Sequence, residues 1–160
     1  MKSLVVYYSR TGNTQIIAEE IAKRLKGKVE KIIDKKNRNG FLNFLKAGRD
    51  GFLKKSTETQ KHTNNPYDFD LLIIGTPVWA GKITPAIRVY LNQLKKDKLK
   101  HIAFLCTKSS GRTNKVFSEM EDITKEPVAV LDVNEKEIKN KSYKKKIEEF
   151  LYKIKQEISY

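Results

Sequence analysis

Along this chain apolar residues either cluster in short unbroken runs or recur every three to four positions, and the alternation of these two rhythms predicts its elements. Leu4-Val5-Val6-Tyr7-Tyr8 marks a strand over residues 2–8. Ile16, Ile17, Ile21, Ala22 and Leu25 follow at helical spacing, with Glu19/Lys23 and Glu20/Arg24 placed as i,i+4 pairs on the outer face and Gly27 as the stop. Further strands are expected at 28–33, 71–75, 101–106 and 128–131. Thr84 and Pro85 read as the cap and first residue of a helix continued by Ile87, Leu91 and Leu94. Another helix covers 114–123, and the last runs from about Glu135, with Ile147, Phe150, Leu151, Ile154 and Ile158 as its inner stripe. Between Asp34 and Pro66 the pattern is least regular. There Phe41-Leu42-Asn43-Phe44-Leu45 and Phe52-Leu53 suggest a helix interrupted by Gly48 and Gly51.

Strands such as Leu71-Leu72-Ile73-Ile74, apolar at every position, belong to a parallel sheet covered on both faces. Five strands alternating with helices imply right-handed crossovers and a three-layer α/β domain. At 160 residues and 39% apolar composition the chain is read as one domain, 1–160, with a core that needs no staples. It shows no repeat, no low-complexity tract and no interior linker.

The junction of the first strand and first helix carries Ser9-Arg10-Thr11-Gly12-Asn13-Thr14. Hydroxyls, an amide and a glycine where a strand turns into a helix let backbone N–H groups and the positive end of the helix dipole converge on an anion, and a phosphate monoester fits. The plainer alternative is an ordinary N-cap, with Thr11 or Asn13 capping the helix. No Gly-Lys-Ser/Thr follows, so this is not a nucleotide P-loop, nor is it the Gly-x-Gly-x-x-Gly fingerprint for dinucleotides.

Taken whole, the six residues resemble the phosphate loop of the flavodoxin family, which holds the 5'-phosphate of FMN. The resemblance extends over nearly the full chain and implies a strand order of 2-1-3-4-5, with the ligand at the carboxyl ends of strands 1 and 3, where the order reverses. Thr76-Pro77-Val78-Trp79-Ala80-Gly81-Lys82 resembles the family's loop along the edge and face of the flavin ring. Trp79 would stack on that ring, and Gly81 would let backbone approach it; as plain structure they are a half-buried anchor and a turn glycine. Thr107-Lys108-Ser109-Ser110-Gly111 and Arg112 stand at the family's second flavin loop by location. Many flavodoxins have an aromatic residue there; this loop has none, which leaves one flavin face open or covered by another segment.

Flavodoxins usually crowd carboxylates around the flavin, whereas these three loops carry Arg10, Lys82, Lys108 and Arg112 and no Asp or Glu. Each exposed cation would be worth about 1 kcal/mol, on the order of 40 mV for one electron, toward an easier second reduction. The whole chain is basic, with 33 Lys and Arg against 19 Asp and Glu, formally +14. Such a field attracts anionic partners without naming them. Against nucleic acid stand the spread of lysines over 35–38, 95–100 and 139–146 and the lack of zinc-finger or RNA-stacking patterns.

Cys106 is the single cysteine and ends the apolar run from Ile102, so it is read as a buried small hydrophobe in a reducing, cytoplasmic protein. No run approaches the roughly 20 apolar residues of a membrane span, and the amino-terminal apolar stretch is too short for a signal peptide. His62 and His101 are the only histidines; neither has metal-ligand spacing, and a Ser-His-Asp triad lacks support. The resemblance implies an FMN-binding electron carrier, and the basic loops point to an acidic redox protein such as a ferredoxin, or a small-molecule acceptor, as its partner. The alternative on the same fold is an NAD(P)H-dependent reductase of quinones or other small acceptors. A basic module binding nucleic acid or another acidic surface is the third reading.

Overall fold

A computed structural model describes residues 1–33 and 63–158. Strands β1 (Ser3–Tyr7), β2 (Lys28–Lys31), β3 (Leu71–Pro77), β4 (His101–Lys108) and β5 (Ala129–Asn134) form one sheet in the order β2-β1-β3-β4-β5, every pair parallel. Helices α1 (Asn13–Leu25), α2 (Pro85–Gln93), α3 (Asn114–Ile123), α4 (Glu135–Lys139) and α5 (Tyr143–Ile158), with short 3-10 turns at Pro66–Asp68 and Lys96–Lys98, complete the described elements. The interrupted helix expected around Phe41, Phe44, Gly48, Gly51 and Phe52 lies outside the described residues, as does His62.

Successive strand residues enter opposite layers, which is why the central strands are apolar at every position. Val5, Tyr7, Ile73 and Leu105 pack with Ile17 and Ile21 of α1 and Ile147, Phe150 and Ile154 of α5. Leu4, Val6, Ile74 and Phe104 pack on the other face with Ile87 and Leu91 of α2 and Val116 and Met120 of α3. Burying one such Ile or Leu side chain contributes about 1.5–3 kcal/mol, so the two layers dominate stability.

Several boundaries differ from the sequence reading. Strands β3, β4 and β5 run on through Thr76-Pro77, Thr107-Lys108 and Asp132-Val133-Asn134, because the ladder continues after the apolar run stops. In β5 only Ala129, Leu131 and Val133 are buried, the period of an edge strand packed on one face. Lys26, at φ 51°, makes the left-handed turn that closes α1, and Gly27 N–H returns to Ala22 O at 2.9 Å. Gly27 is needed for a different reason: a Cβ there would stand 2.2 Å from Ser3 Oγ. The helix expected from Glu135 onward is two helices. Asn134 and Glu137 form a reciprocal capping box that starts α4, and Lys141 at φ 64° breaks the path before α5. On α1, Arg24 pairs with Glu20 at 2.8 Å, while Glu19 accepts from Gln15 instead of pairing with Lys23.

Among the described residues no helix is long and apolar enough to cross a membrane.

Candidate functional site

The carboxyl ends of β1, β3 and β4 bring the three loops together at the point where the strand order reverses. Gly12, at φ 94°, is the N-cap residue of α1, and no side chain caps this helix. The first helical bond runs from Ile16 N–H to Gly12 O at 3.0 Å, so the amides of the preceding first turn point out from the helix end. Ser9 Oγ accepts from Gly12 N–H at 3.1 Å and bends the loop around those amides. Thr11 or Asn13 as an ordinary cap is therefore not what the chain builds. Arg10 and Thr11 are exposed, Ser9 and Asn13 half-buried. Thr14 is buried, and its hydroxyl bonds Thr107 Oγ1 at 2.7 Å, so what it offers an anion is its amide.

In the second loop Trp79 and Lys82 exchange two backbone hydrogen bonds, each 3.0 Å, and close a two-residue hairpin. Its corner residues Ala80 and Gly81 have φ of 48° and 73°, the mirror-image turn that glycine adopts without strain and alanine does not. This holds Trp79 half-buried, edge-on to Tyr8 with ring centres 5.7 Å apart and planes at 83°. The Arg10 guanidinium lies over the indole, 5.8 Å from its centre, within range of a cation–π contact. Val78 N–H donates to Thr107 O at 2.8 Å. Thr76 donates its hydroxyl proton to Pro77 O at 3.0 Å and receives that of Thr84 over 3.2 Å. Thr84 thus stands at the N-cap of α2, as its sequence suggests, but its hydroxyl anchors β3 rather than capping the helix.

The third loop, Ser109, Ser110, Gly111 and Arg112, is exposed, with Gly111 at φ 83°. Lys108 does not join the cationic rim as expected. It turns to Asp132 at the end of β5, in an ion pair where the Lys108 side chain is only 16% exposed. The loops carry no carboxylate of their own, yet one reaches them from a neighbouring strand. Partial burial works to raise the Asp132 pKa, but the hydrogen bond and charge of Lys108 and the charge of Lys146 outweigh it and hold the carboxyl below its usual range. Arg10, Lys82 and Arg112 remain as exposed cations. Cys106 is wholly buried, and desolvation pushes its thiol pKa far up, which leaves it inert.

The loops are linked pairwise: Arg10 to Trp79, Thr14 to Thr107, and Val78 to Thr107. Tyr8 and Asp132 belong to this region and were not singled out from the sequence. Tyr8 reads there as the last apolar residue of a strand. Asp132 carries one visible signal, a carboxylate between Leu131 and Val133 on the outward side of an edge strand.

No protein-family model matches the sequence, and no curated protein sequence matches it. Solved structures do match in shape. A flavoprotein from Lactobacillus acidophilus in complex with FMN is 24% identical, with TM-score 0.61 over 87% of this chain and 97% of that one. An NADH:FMN oxidoreductase in its apo form is 16% identical, with TM-score 0.58 over 94% of this chain and 88% of its own. A flavodoxin from the domain Archaea is 17% identical, with TM-score 0.52 over 88% and 90%. At these identities the likeness is one of fold, and the fold is flavodoxin-like.

Proposed function

We propose that this chain binds FMN at the three linked loops and acts as a flavodoxin-like redox protein in electron transfer. The observation that carries the reading is the uncapped first turn of α1 at the reversal of the sheet, joined through Arg10 to the half-buried ring of Trp79. An N-terminus with no side-chain cap, bent around its own amides, suits a phosphate ester. The amides of Thr11, Asn13 and Thr14, with the hydroxyls of Ser9 and Thr11 and the amide side chain of Asn13, would hold the phosphate, and Gly12, its own N–H held by Ser9 Oγ, would shape the turn around it. Residues 76 to 82 would lie along the ring, with Trp79 stacked on it, and residues 107 to 111 would border it. Bound FMN would supply the electron storage; the protein supplies binding, orientation and electrostatics.

Trp79 is the chain's one tryptophan, which makes the test direct. Titration of flavin-free protein with FMN should quench its fluorescence, and Trp79→Ala should weaken FMN by about 1 kcal/mol. Undiminished emission at saturating FMN would remove Trp79 from the site.

A second reading, an NAD(P)H-dependent reductase of small acceptors, draws on the exposed, aromatic-free loop at Ser109 to Arg112. Bleaching of the bound flavin by NAD(P)H alone would favour it. Two well-separated one-electron potentials, with no bleaching by NAD(P)H, would favour the carrier.

A further inference from the structure

Asp132 lies outside the three loops, yet its carboxylate reaches both stems of Ser109 to Arg112. Lys108, the last residue of β4 and the first stem, donates to Oδ2. Thr113, the other stem and the N-cap residue of α3, donates to the same oxygen over 3.4 Å. Thr113 is itself buried, and its carbonyl accepts from Val116 and Phe117, so it is a firm anchor. Lys146 of α5 donates to the Asp132 carbonyl at 3.0 Å and approaches Oδ1 at 3.7 Å. On its far side Lys146 pairs with Glu137 at 2.8 Å, and Glu137 accepts the Asn134 N–H that starts α4. The charges alternate, Lys108, Asp132, Lys146, Glu137, and the row is neutral as a whole.

An ordinary surface ion pair is worth about 0–1 kcal/mol, because long side chains must be ordered in water. This one differs in geometry. The Lys108 and Asp132 side chains are 16% and 31% exposed and spring from paired strands, and a second donor and a second cation converge on the same carboxylate.

We propose that Asp132 is the positioning residue of the Ser109 to Arg112 loop: it holds Lys108 and Thr113, the loop's two stems, and cancels the Lys108 charge where the loop borders the flavin. The second half of that role rests on the FMN reading; the first does not. With Lys108 drawn to β5, the cation this segment presents outward is Arg112.

The test uses Asp132→Asn, Lys108→Met and the double variant, all in the full chain. Without flavin, amide hydrogen exchange at residues 109 to 113 should quicken roughly tenfold in Asp132→Asn and Lys108→Met, while residues 102 to 106 of β4 keep their protection. With FMN bound, the potential of the second electron should rise in Asp132→Asn, which exposes an uncompensated ammonium, and fall in Lys108→Met, which exposes a carboxylate. The double variant should return it toward the parent value. A loss of folded structure alone would not give opposite shifts that cancel. Unchanged loop exchange in both single variants overturns the proposal, as does bound FMN whose potential ignores both. Should the parent chain take up no FMN, the flavin reading fails and the exchange data alone decide whether Asp132 holds the loop; should Asp132→Asn not fold, Lys108→Met breaks the same pair from the other side.

Discussion

The hydroxyls of Thr14 and Thr107 meet at 2.7 Å in the interior and join the first turn of α1 to the end of β4. Both side chains are buried, so neither oxygen has water as an alternative partner. Removing one hydroxyl strands the other, which costs about 1–3 kcal/mol, whereas removing both need not. Thr14→Val and Thr107→Val should each lower stability by that order, and the double variant by clearly less than their sum. A double-mutant cycle in urea measures this; strict additivity would mean the two hydroxyls do not depend on each other.

Thr11, exposed in the same loop, separates phosphate binding from packing. Thr11→Ala should weaken FMN by about 1 kcal/mol, the usual worth of a hydrogen bond, and leave riboflavin affinity and thermal stability nearly unchanged. Thr14→Ala would cut into stability as well and is the poorer probe. Equal losses for FMN and riboflavin in Thr11→Ala would take the phosphate away from this loop.

The corner of the Trp79 hairpin predicts two substitutions of opposite sign. Gly81 at φ 73° has open space where a Cβ would stand, so Gly81→Ala should cost about 1 kcal/mol through backbone strain alone. Ala80 already bears such strain at φ 48°. Ala80→Asn should stabilise by a few tenths of a kcal/mol, since asparagine tolerates the left-handed region. Thermal melts of the two variants decide; a gain for Gly81→Ala would mean the mirror-image turn is not kept in solution.

Much of this was legible in the sequence, for a physical reason. Unbroken runs such as Leu71 to Ile74 suit a strand covered on both faces, and their alternation with helical spacing points to a parallel, three-layer arrangement. Strand ends were not legible, because Thr107, Lys108 and Asp132 are polar residues that still pair along the backbone. Pairing across elements was lost for the same kind of reason. Lys108 reads as a rim cation by position, and only the β4–β5 register, 24 residues away, brings Asp132 to it. The break between α4 and α5 rests on the positive φ of Lys141, a residue type that does not announce a turn.

Acid should probe the opposite end of the sheet. Asp70 accepts from Lys100 at 2.7 Å and from the Lys2 backbone N–H at 2.8 Å, and these bonds, that of Lys100 foremost, lower its pKa to about 2. A carboxyl whose pKa is lower folded than unfolded contributes stability above its unfolded value, near 3.9, and loses it as pH falls toward the folded one. Parent and Asp70→Asn should therefore differ most above about pH 4.5 and converge as pH falls toward 2. Paired thermal melts across that range check the sign; a gap that widens on acidification would contradict it.

The exposed cations Arg10, Lys82 and Arg112 make a rim that suits an acidic redox partner, and the geometry ranks their contributions. Attraction between exposed charges fades as the screening length shrinks from about 10 Å at 0.1 M salt to 3 Å at 1 M. Electron transfer to an acidic ferredoxin should consequently slow steeply with added salt. Lys82→Glu and Arg112→Glu should each reduce the low-salt rate and flatten the salt dependence, because each reverses a charge facing solvent. The double variant Lys108→Met with Asp132→Asn should do neither to a comparable degree: the two charges already cancel in the ion pair, so a partner meets little net charge there. Stopped-flow rates over that range of ionic strength give the slope for each variant. A slope for that double variant as flat as that for Lys82→Glu would mean that the Lys108 ammonium faces the partner after all. A parent rate that is flat or rising with salt would mean that docking does not use this rim.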